Sequence, residues 1–462
     1  MFSAATYIGR RDVLLRTLRQ EGAKGLLLFL GNKESPSNYE ENTYPFRQDS
    51  TFLYFFGVDL PGFAALMDLD EGTIAVFADD PHLDAFIWTG PQPPVAELAG
   101  GAGVAQTGTL SQLAGRVARA RAGGRQLHLL PPYRADNMLT LMGLFESRTL
   151  PVASETFIRA VVEQRAVKAA EELAELEKAV DLTVDMHLAA MRMARPGMKE
   201  SDIQARVTEI ALAGGAGLAF PVIATIRGET LHTHFYGNTL RSGDTFLLDC
   251  GAESLEHYGG DLSSSFPVDR AFTDRQRDIY SVVLSAHLAA VGKVGPGVPM
   301  LDVHLTACRR IAQGLKDLGL MKGDLDAAVA TGAHALFFPC GTGHMVGLDI
   351  HDMEDLGELF VGYEGGPRNM QFGLSSLRLA RALKPGFTIT IEPGIYFIPA
   401  LAQRWKAENR FTDFIDYGEL ERWLGAGGMR IEENLAVTPL GSRILGKARP
   451  RSIEEVETVR KG

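Results

Sequence analysis

Gly243-Asp244-Thr245-Phe246-Leu247-Leu248-Asp249-Cys250-Gly251 and Gly386-Phe387-Thr388-Ile389-Thr390-Ile391-Glu392-Pro393-Gly394 share one spacing. Each reads as a turn glycine, an apolar strand, an acid and a closing glycine. An acid at the end of a buried strand costs free energy unless it is paired or binds a metal. One such phrase is an ordinary strand end. Two in register predict a pair of half-sites facing a shared ion.

A second repeat supports duplication. Pro196-Gly197 precedes Asp202-Ile203, and Pro296-Gly297 precedes Asp302-Val303. Each pair follows a helical run and starts another. Together with the strand phrase, this predicts a repeated helix–helix–strand unit. Asp202 and Asp302 read as helix N-caps, outside any site.

Around this core the chain is ordinary in composition. It has 462 residues, 45 % apolar and 22 % charged, with a net charge of -11. The length implies more than one domain. The acidic balance argues against nucleic acid as a partner, since phosphate binding needs a basic surface. Cys250, Cys308 and Cys340 make an odd set with no CxxC spacing, so no disulfide framework is expected and a reducing cytoplasm suits them. No signal peptide is read at the start, and no apolar run is long enough to span a bilayer.

Upstream, residues 10–22 read as an amphipathic helix and Gly25 to Gly31 as a buried strand. Phe52–Phe56, Ala64–Met67, Thr73–Phe77 and Gln126–Leu130 read as further strands, with a helix at Leu110–Arg121. Strands alternating with helices predict an α/β domain over residues 1–157. A long helical pattern then runs from Ile158 to about Ala194 and opens a second domain, 158–462.

The chemistry gathers in the second domain. Asp249 and Asp261 flank the segment Gly251–Gly260, which reads as a hairpin that can bring both acids to one ion. Glu392 ends its strand, and Met429-Arg430-Ile431-Glu432-Glu433-Asn434-Leu435 starts its partner, with Arg430 and Glu432 on one side by alternation. Residues 400–426 read as an insertion with a helix, on the surface. His344 and His351 flank an apolar run after the turn Cys340-Gly341-Thr342-Gly343, where glycines allow close backbone approach. Leu231-His232-Thr233-His234 puts two histidines on one side if it is a strand. Four carboxylates and one histidine suit hard or borderline cations. Without cations they would raise one another's pKa, and two divalent ions relieve that repulsion.

At these residues the chain resembles the proline-specific metallopeptidases of the aminopeptidase P and prolidase (pita-bread) family. The resemblance rests on Gly343-His344, Gly347-Leu348-Asp349-Ile350-His351-Asp352, Ile391-Glu392-Pro393-Gly394-Ile395-Tyr396 and Arg430-Ile431-Glu432-Glu433. Tyr44-Pro45-Phe46-Arg47-Gln48-Asp49-Ser50-Thr51-Phe52-Leu53-Tyr54 is similar to that family's amino-terminal domain. It implies an α+β molecule: a duplicated pita-bread catalytic domain preceded by a smaller α/β domain.

The resemblance also implies roles. Asp249 would hold one metal, His344 and Glu392 the other, with Asp261 and Glu432 bridging. Glu392 would also shuttle a proton, and His351 would touch the substrate. Either His232 or His234 would be the remaining catalytic histidine. Arg378 and Arg430 would bind substrate, and Tyr396 and Phe220 are candidates for the wall of a proline pocket. The cofactor expected is a pair of divalent ions, manganese first, with cobalt, zinc or iron as alternatives.

Two departures stand out. The strand after Asp261 reads Leu262-Ser263-Ser264-Ser265-Phe266-Pro267, without the arginine of the family's Thr-Arg-Thr segment. Cys340 replaces a family histidine. The Glu392-to-Glu432 separation is closer to prolidases.

The activity expected is an Xaa-Pro aminopeptidase acting on proline-containing peptides, with an Xaa-Pro dipeptidase as the alternative. Arg378 would bind the free carboxylate of a dipeptide. A non-catalytic peptide-binding module is the remote reading. The family further implies a homodimer.

Overall fold

The computed structural model describes residues 2–81 and 83–462. The chain divides into two compact units, Met1–Arg165 with Met353–Phe360, and Ala166–Asp352 with Val361–Gly462.

In the first unit, a five-stranded mixed sheet runs in the order Gln106–Gly108, Ile74–Phe77, Ala64–Asp68, Leu26–Leu30, Leu127–His128. Leu26 to Leu30 pairs antiparallel with Asp68 to Ala64 and parallel with Leu127–His128. Leu26, Leu28, Leu66 and Phe77 pack against Leu113 and Val117 of helix Leu110–Ala122.

The aromatic run expected as a strand is instead the helix Ser50–Phe56. Its caps override the β-propensity of its residues. Asp49 accepts from the Phe52 amide at the N-terminus, and Gly57 closes the C-terminus at φ 63°. All seven residues are buried, so propensity yields to packing.

The long helical pattern is two helices, Glu155–Ala166 and Ala170–Met193. Glu172 reaches back to the Ala169 amide as half of a capping box, so a new helix starts there. The Lys168 amide donates to the Gly386 carbonyl at 2.8 Å, and its ammonium lies 2.7 Å from Asp352 with both side chains 1 % exposed.

The second unit contains the duplication. Helices Ala170–Met193 and Glu200–Gly214 lead to strands Ile223–Thr225, Thr245–Cys250 and Leu262–Pro267. Helices Asp274–Lys293 and Met300–Asp317 lead to strands Thr388–Ile391, Glu433–Thr438 and Gly441–Ile444. Equivalent bonds recur in the two halves. The Gly197 amide donates to Leu240 and the Gly297 amide to Leu383, at 2.8 and 2.7 Å. Gly243 and Gly386 both sit in the left-handed region, at φ 89° and 91°, which is why each strand phrase opens on glycine.

Asp202 and Asp302 are not N-caps. Each is the third residue of its helix, after Lys199 and Pro299 respectively; Asp202 accepts from the Lys199 amide at 2.9 Å. The expected strand over 429–435 is broken at Ile431–Glu432. Gly428–Arg430 pairs with Gly394–Tyr396, whereas Glu433 onward pairs with Thr388–Ile391. The 400–426 insertion carries two helices, Pro399–Ala407 and Tyr417–Trp423, and buries Trp405 and Trp423.

Candidate metal centre

Strand Thr245–Cys250 pairs antiparallel with Leu262–Pro267, with Asp249 opposite Ser263. Asp261 therefore sits one residue before the partner strand, near Asp249. Its backbone is held by Asn434, whose side chain accepts from the Asp261 amide at 2.9 Å and donates to its carbonyl at 2.8 Å. In the other half Glu392 directly follows strand Thr388–Ile391, and its amide donates to the Thr342 carbonyl at 2.7 Å. Glu432 lies in the break between two strands, its amide 3.2 Å from the Ser263 carbonyl. That break turns one ladder toward the other half and brings Glu432 to the acids of the first hairpin.

His344 follows Gly343, where any side chain would collide with the Thr390 carbonyl, 2.0 Å from an added Cβ. This close approach seats His344 against the strand. Its Nδ1 is 2.9 Å from the Met345 carbonyl, so Nδ1 carries a proton and Nε2 is the nitrogen turned toward the acids. That Nε2 lies 3.4 Å from Asp261 and 3.6 Å from Glu392. Asp261, His344 and Glu432 each offer a donor atom within 4.8 Å of the others. His351 stacks on His344 with ring centroids 3.8 Å apart.

These groups line a cavity of about 440 Å³, together with Asp249, Glu392, Arg378, Arg430, Phe220, His232, His234 and Cys340. His232 and His234 are exposed, and no strand forms over 231–234 because the segment is a turn and coil. They face the same cavity all the same. Tyr396 does not line it. Its ring is fully buried and its hydroxyl accepts from Arg430 at 2.8 Å.

Arg430 links the two halves. It donates through Nε to the Ser263 hydroxyl at 2.8 Å and through Nη2 to Asp249. Ser263 in turn donates to Glu432 at 2.7 Å. Ser263 and Asn434 carry no signal in sequence beyond their place beside the acids. The arginine missing from the strand after Asp261 has a counterpart from elsewhere. Arg449 donates to the Ser263 carbonyl, the Ser264 hydroxyl and the Glu432 carbonyl.

The electrostatics follow from burial. Burial pushes Asp249 up to about 7; Arg430 opposes this, and Asp261 and Glu392 add to it. Burial also raises Glu432 well above the carboxylate range, reinforced by Asp261, Glu392 and Asp249. Glu392 is raised by burial against the pull of His344 and Arg430. Burial lowers His344, but contact with Asp261 and the charge of Glu392 win and bring it to about 9. Burial lifts the Cys340 thiol to about 12. Exposed as it is, His232 is still lowered by desolvation, with Arg430 and Arg378 adding to the effect.

Such a set is unstable as bare anions. One Asp249 oxygen, Oδ1, is buried without a hydrogen-bond partner. An orphaned carboxylate oxygen, three other acids and an imidazole nitrogen turned toward them make the donor set of a divalent-cation site.

Residues 174–439 match the model of metallopeptidase family M24, and residues 7–128 match the aminopeptidase P N-terminal domain. The chain belongs to the aminopeptidase P and prolidase family of M24 metallopeptidases. It is 30 % identical to the human Xaa-Pro dipeptidase, covering 99 % of this chain and 94 % of that one. It is also 30 % identical to a probable Xaa-Pro aminopeptidase of Emericella nidulans, over 90 % of this chain and 88 % of the relative.

Aminopeptidase PepP of Pseudomonas aeruginosa shares the fold at a TM-score of 0.81 and 23 % identity, covering 100 % of this chain and 98 % of that one. A zinc-substituted Escherichia coli aminopeptidase P in complex with product matches at a TM-score of 0.79 and 26 % identity, with the same coverage. This M24 metallopeptidase is thus an α+β protein with a pita-bread catalytic domain after an aminopeptidase P-type N-terminal domain. Among the described residues no helix is long and apolar enough to cross a membrane.

Proposed function

We propose that this M24 peptidase is a dinuclear Xaa-Pro aminopeptidase that cleaves the bond before proline at the N-terminus of peptides. The observation that carries the reading is the convergence of Asp249, Asp261, His344, Glu392 and Glu432 on one cavity, with a buried carboxylate oxygen left unpaired. Asp249 would serve one ion, His344 and Glu392 the other, and Asp261 and Glu432 both. Manganese is the first choice for this oxygen-rich set, with cobalt, zinc and iron as alternatives. Bound there, two divalent ions polarise a carbonyl and make water a nucleophile at neutral pH.

The protein's own groups do the rest. Glu392 lines the cavity and has its pKa raised, which suits a carboxylate that takes and returns a proton. His351, which stacks flat on His344, would donate to the substrate carbonyl. Arg430 fixes Asp249 and Ser263, and Ser263 fixes Glu432. Tyr396 acts through Arg430 rather than on the proline ring. Phe220 remains on the cavity wall, and a ring with fixed φ and no amide hydrogen can be selected there by shape. His232 and His234 line the same cavity, and one of them would be the remaining catalytic histidine.

Arg378 favours a second reading, an Xaa-Pro dipeptidase. It lines the cavity and acts on Glu392 electrostatically, so a free dipeptide carboxylate could reach it. The same proposal includes a homodimer, a cytoplasmic setting and a division of the chain at residue 157. Assay of the manganese-loaded protein on Ala-Pro and on a longer Ala-Pro peptide separates the readings. Turnover of the longer peptide supports the aminopeptidase. Turnover of Ala-Pro alone gives the dipeptidase. Turnover of neither, with metal bound, overturns both.

A further inference from the structure

Three buried donors converge elsewhere in the catalytic unit, outside the carboxylate cavity. His304 and Cys308 stand one turn apart on helix Met300–Asp317, and His334 comes from the short 3-10 turn Ala333–Leu336. One donor atom of each lies within 4.8 Å of the other two. All three residues are 1 % exposed or less. The Cys308 sulfur is 3.3 Å from His304 Nε2. In a zinc-type site, with metal–nitrogen distances of about 2.0 Å and metal–sulfur of about 2.3 Å, donor atoms stand roughly 3.5 Å apart. The sulfur and His304 Nε2 already have nearly that separation, and His334 brings a donor atom within 4.8 Å of its two neighbours.

His334 is the group that needs a partner. Its hydrogen bond to the Ala328 backbone is marginal, and neither ring nitrogen makes a well-formed one. Buried polar groups are rarely left so, because an unpaired one costs about 1–3 kcal/mol. Here the poorly paired imidazole faces a thiol and a second imidazole. His304 is oriented toward the same point. Its Nδ1 lies 2.8 Å from the Thr342 hydroxyl, which leaves Nε2 aimed at the sulfur. A ligating histidine usually has its other nitrogen held in this way.

We propose that His304, Cys308 and His334 bind one thiophilic d10 cation, zinc or copper(I), in a structural site separate from the catalytic centre. Soft sulfur with two imidazoles selects such ions, whereas the oxygen-rich cavity selects harder ones. On binding, the Cys308 S–H bond breaks, its proton leaves to solvent and a sulfur–metal bond forms. The ion would brace the turn on which catalysis depends. His304 holds the Thr342 side chain, and the Thr342 carbonyl accepts the Glu392 amide.

Cobalt(II) distinguishes this site from the carboxylate centre. The full chain, stripped of metal and loaded with cobalt, should show an intense near-ultraviolet thiolate-to-cobalt band. It should bind one more equivalent than Cys308→Ser. The band should vanish in Cys308→Ser, persist in Cys340→Ser, and need at least tenfold more cobalt in His334→Gln. Should Cys308→Ser not fold, the wild type and His334→Gln decide the matter, since losing a poorly paired imidazole does not threaten the core. Copper(I), supplied anaerobically against a copper(I) chelator, and zinc, measured by stoichiometry, then identify the ion. No thiolate band together with no bound copper(I) overturns the proposal. So does a band that survives Cys308→Ser or is unchanged in His334→Gln.

Discussion

Arg430 and Asp249 form a buried ion pair that joins the two halves of the duplicated unit, and it engages only one of the Asp249 oxygens. The guanidinium comes from the strand preceding Glu432, and the carboxylate from the opposite half. Arg430 therefore partly neutralises the acid cluster while leaving Asp249 Oδ1 for a cation.

Asp249→Asn removes that oxygen's charge and keeps its shape. The variant should bind at least one fewer equivalent of manganese and lose more than about 100-fold in activity. Its metal-free thermal midpoint should change little, because relief of repulsion from Asp261 and Glu392 offsets the lost charge pairing with Arg430. Elemental analysis with thermal melts checks this; full activity with full metal content would refute the assignment.

Ser263→Ala leaves the ligands in place and removes the hydroxyl between Arg430 and Glu432. Its expected effect is a 10- to 100-fold loss in metal affinity or activity. Titration of the stripped variant with manganese, followed by rate measurement at saturation, divides the loss between the two. Ser263→Thr should recover much of it.

The stripped protein should become less stable as pH rises. Asp249 titrates near 7 in the fold against about 3.9 unfolded, so the native state binds more protons across that window. His344, near 9 in the fold against about 6.5 unfolded, extends the same sign upward, since its stabilisation is complete below 6.5 and lost through 9. The gap in melting temperature between metal-loaded and stripped protein should therefore widen from pH 4 to 9. A gap that narrows over this range contradicts the electrostatic account.

Lys168 and Asp352 form a buried ion pair, 2.7 Å apart and each 1 % exposed. Lys168→Met leaves a buried carboxylate and should cost about 3–5 kcal/mol. The double variant Lys168→Met/Asp352→Asn should cost less than the single one, as chemical denaturation would show.

Much of the site is legible in the sequence because it is written in local spacing. The twin strand phrases point to Asp249 and Glu392, and the glycines around His344 mark a close approach that the Thr390 carbonyl explains. The metallopeptidase character follows from the motifs that those residues share with a known family. Ser50–Phe56 reads as a strand because its aromatics favour strands, while the Asp49 cap and Gly57 make it a helix.

Other features depend on residues far apart in sequence. The break at Ile431–Glu432, the Arg430 bridge, the arrival of Arg449 beside Ser263 and the burial of Tyr396 behind Arg430 are of this kind. So is the meeting of His334 with His304 and Cys308. Spacing along the chain determines which residues a strand or turn presents. Which of them share a cavity, and which lose their water and change their charge, is set by packing between segments that no local pattern encodes.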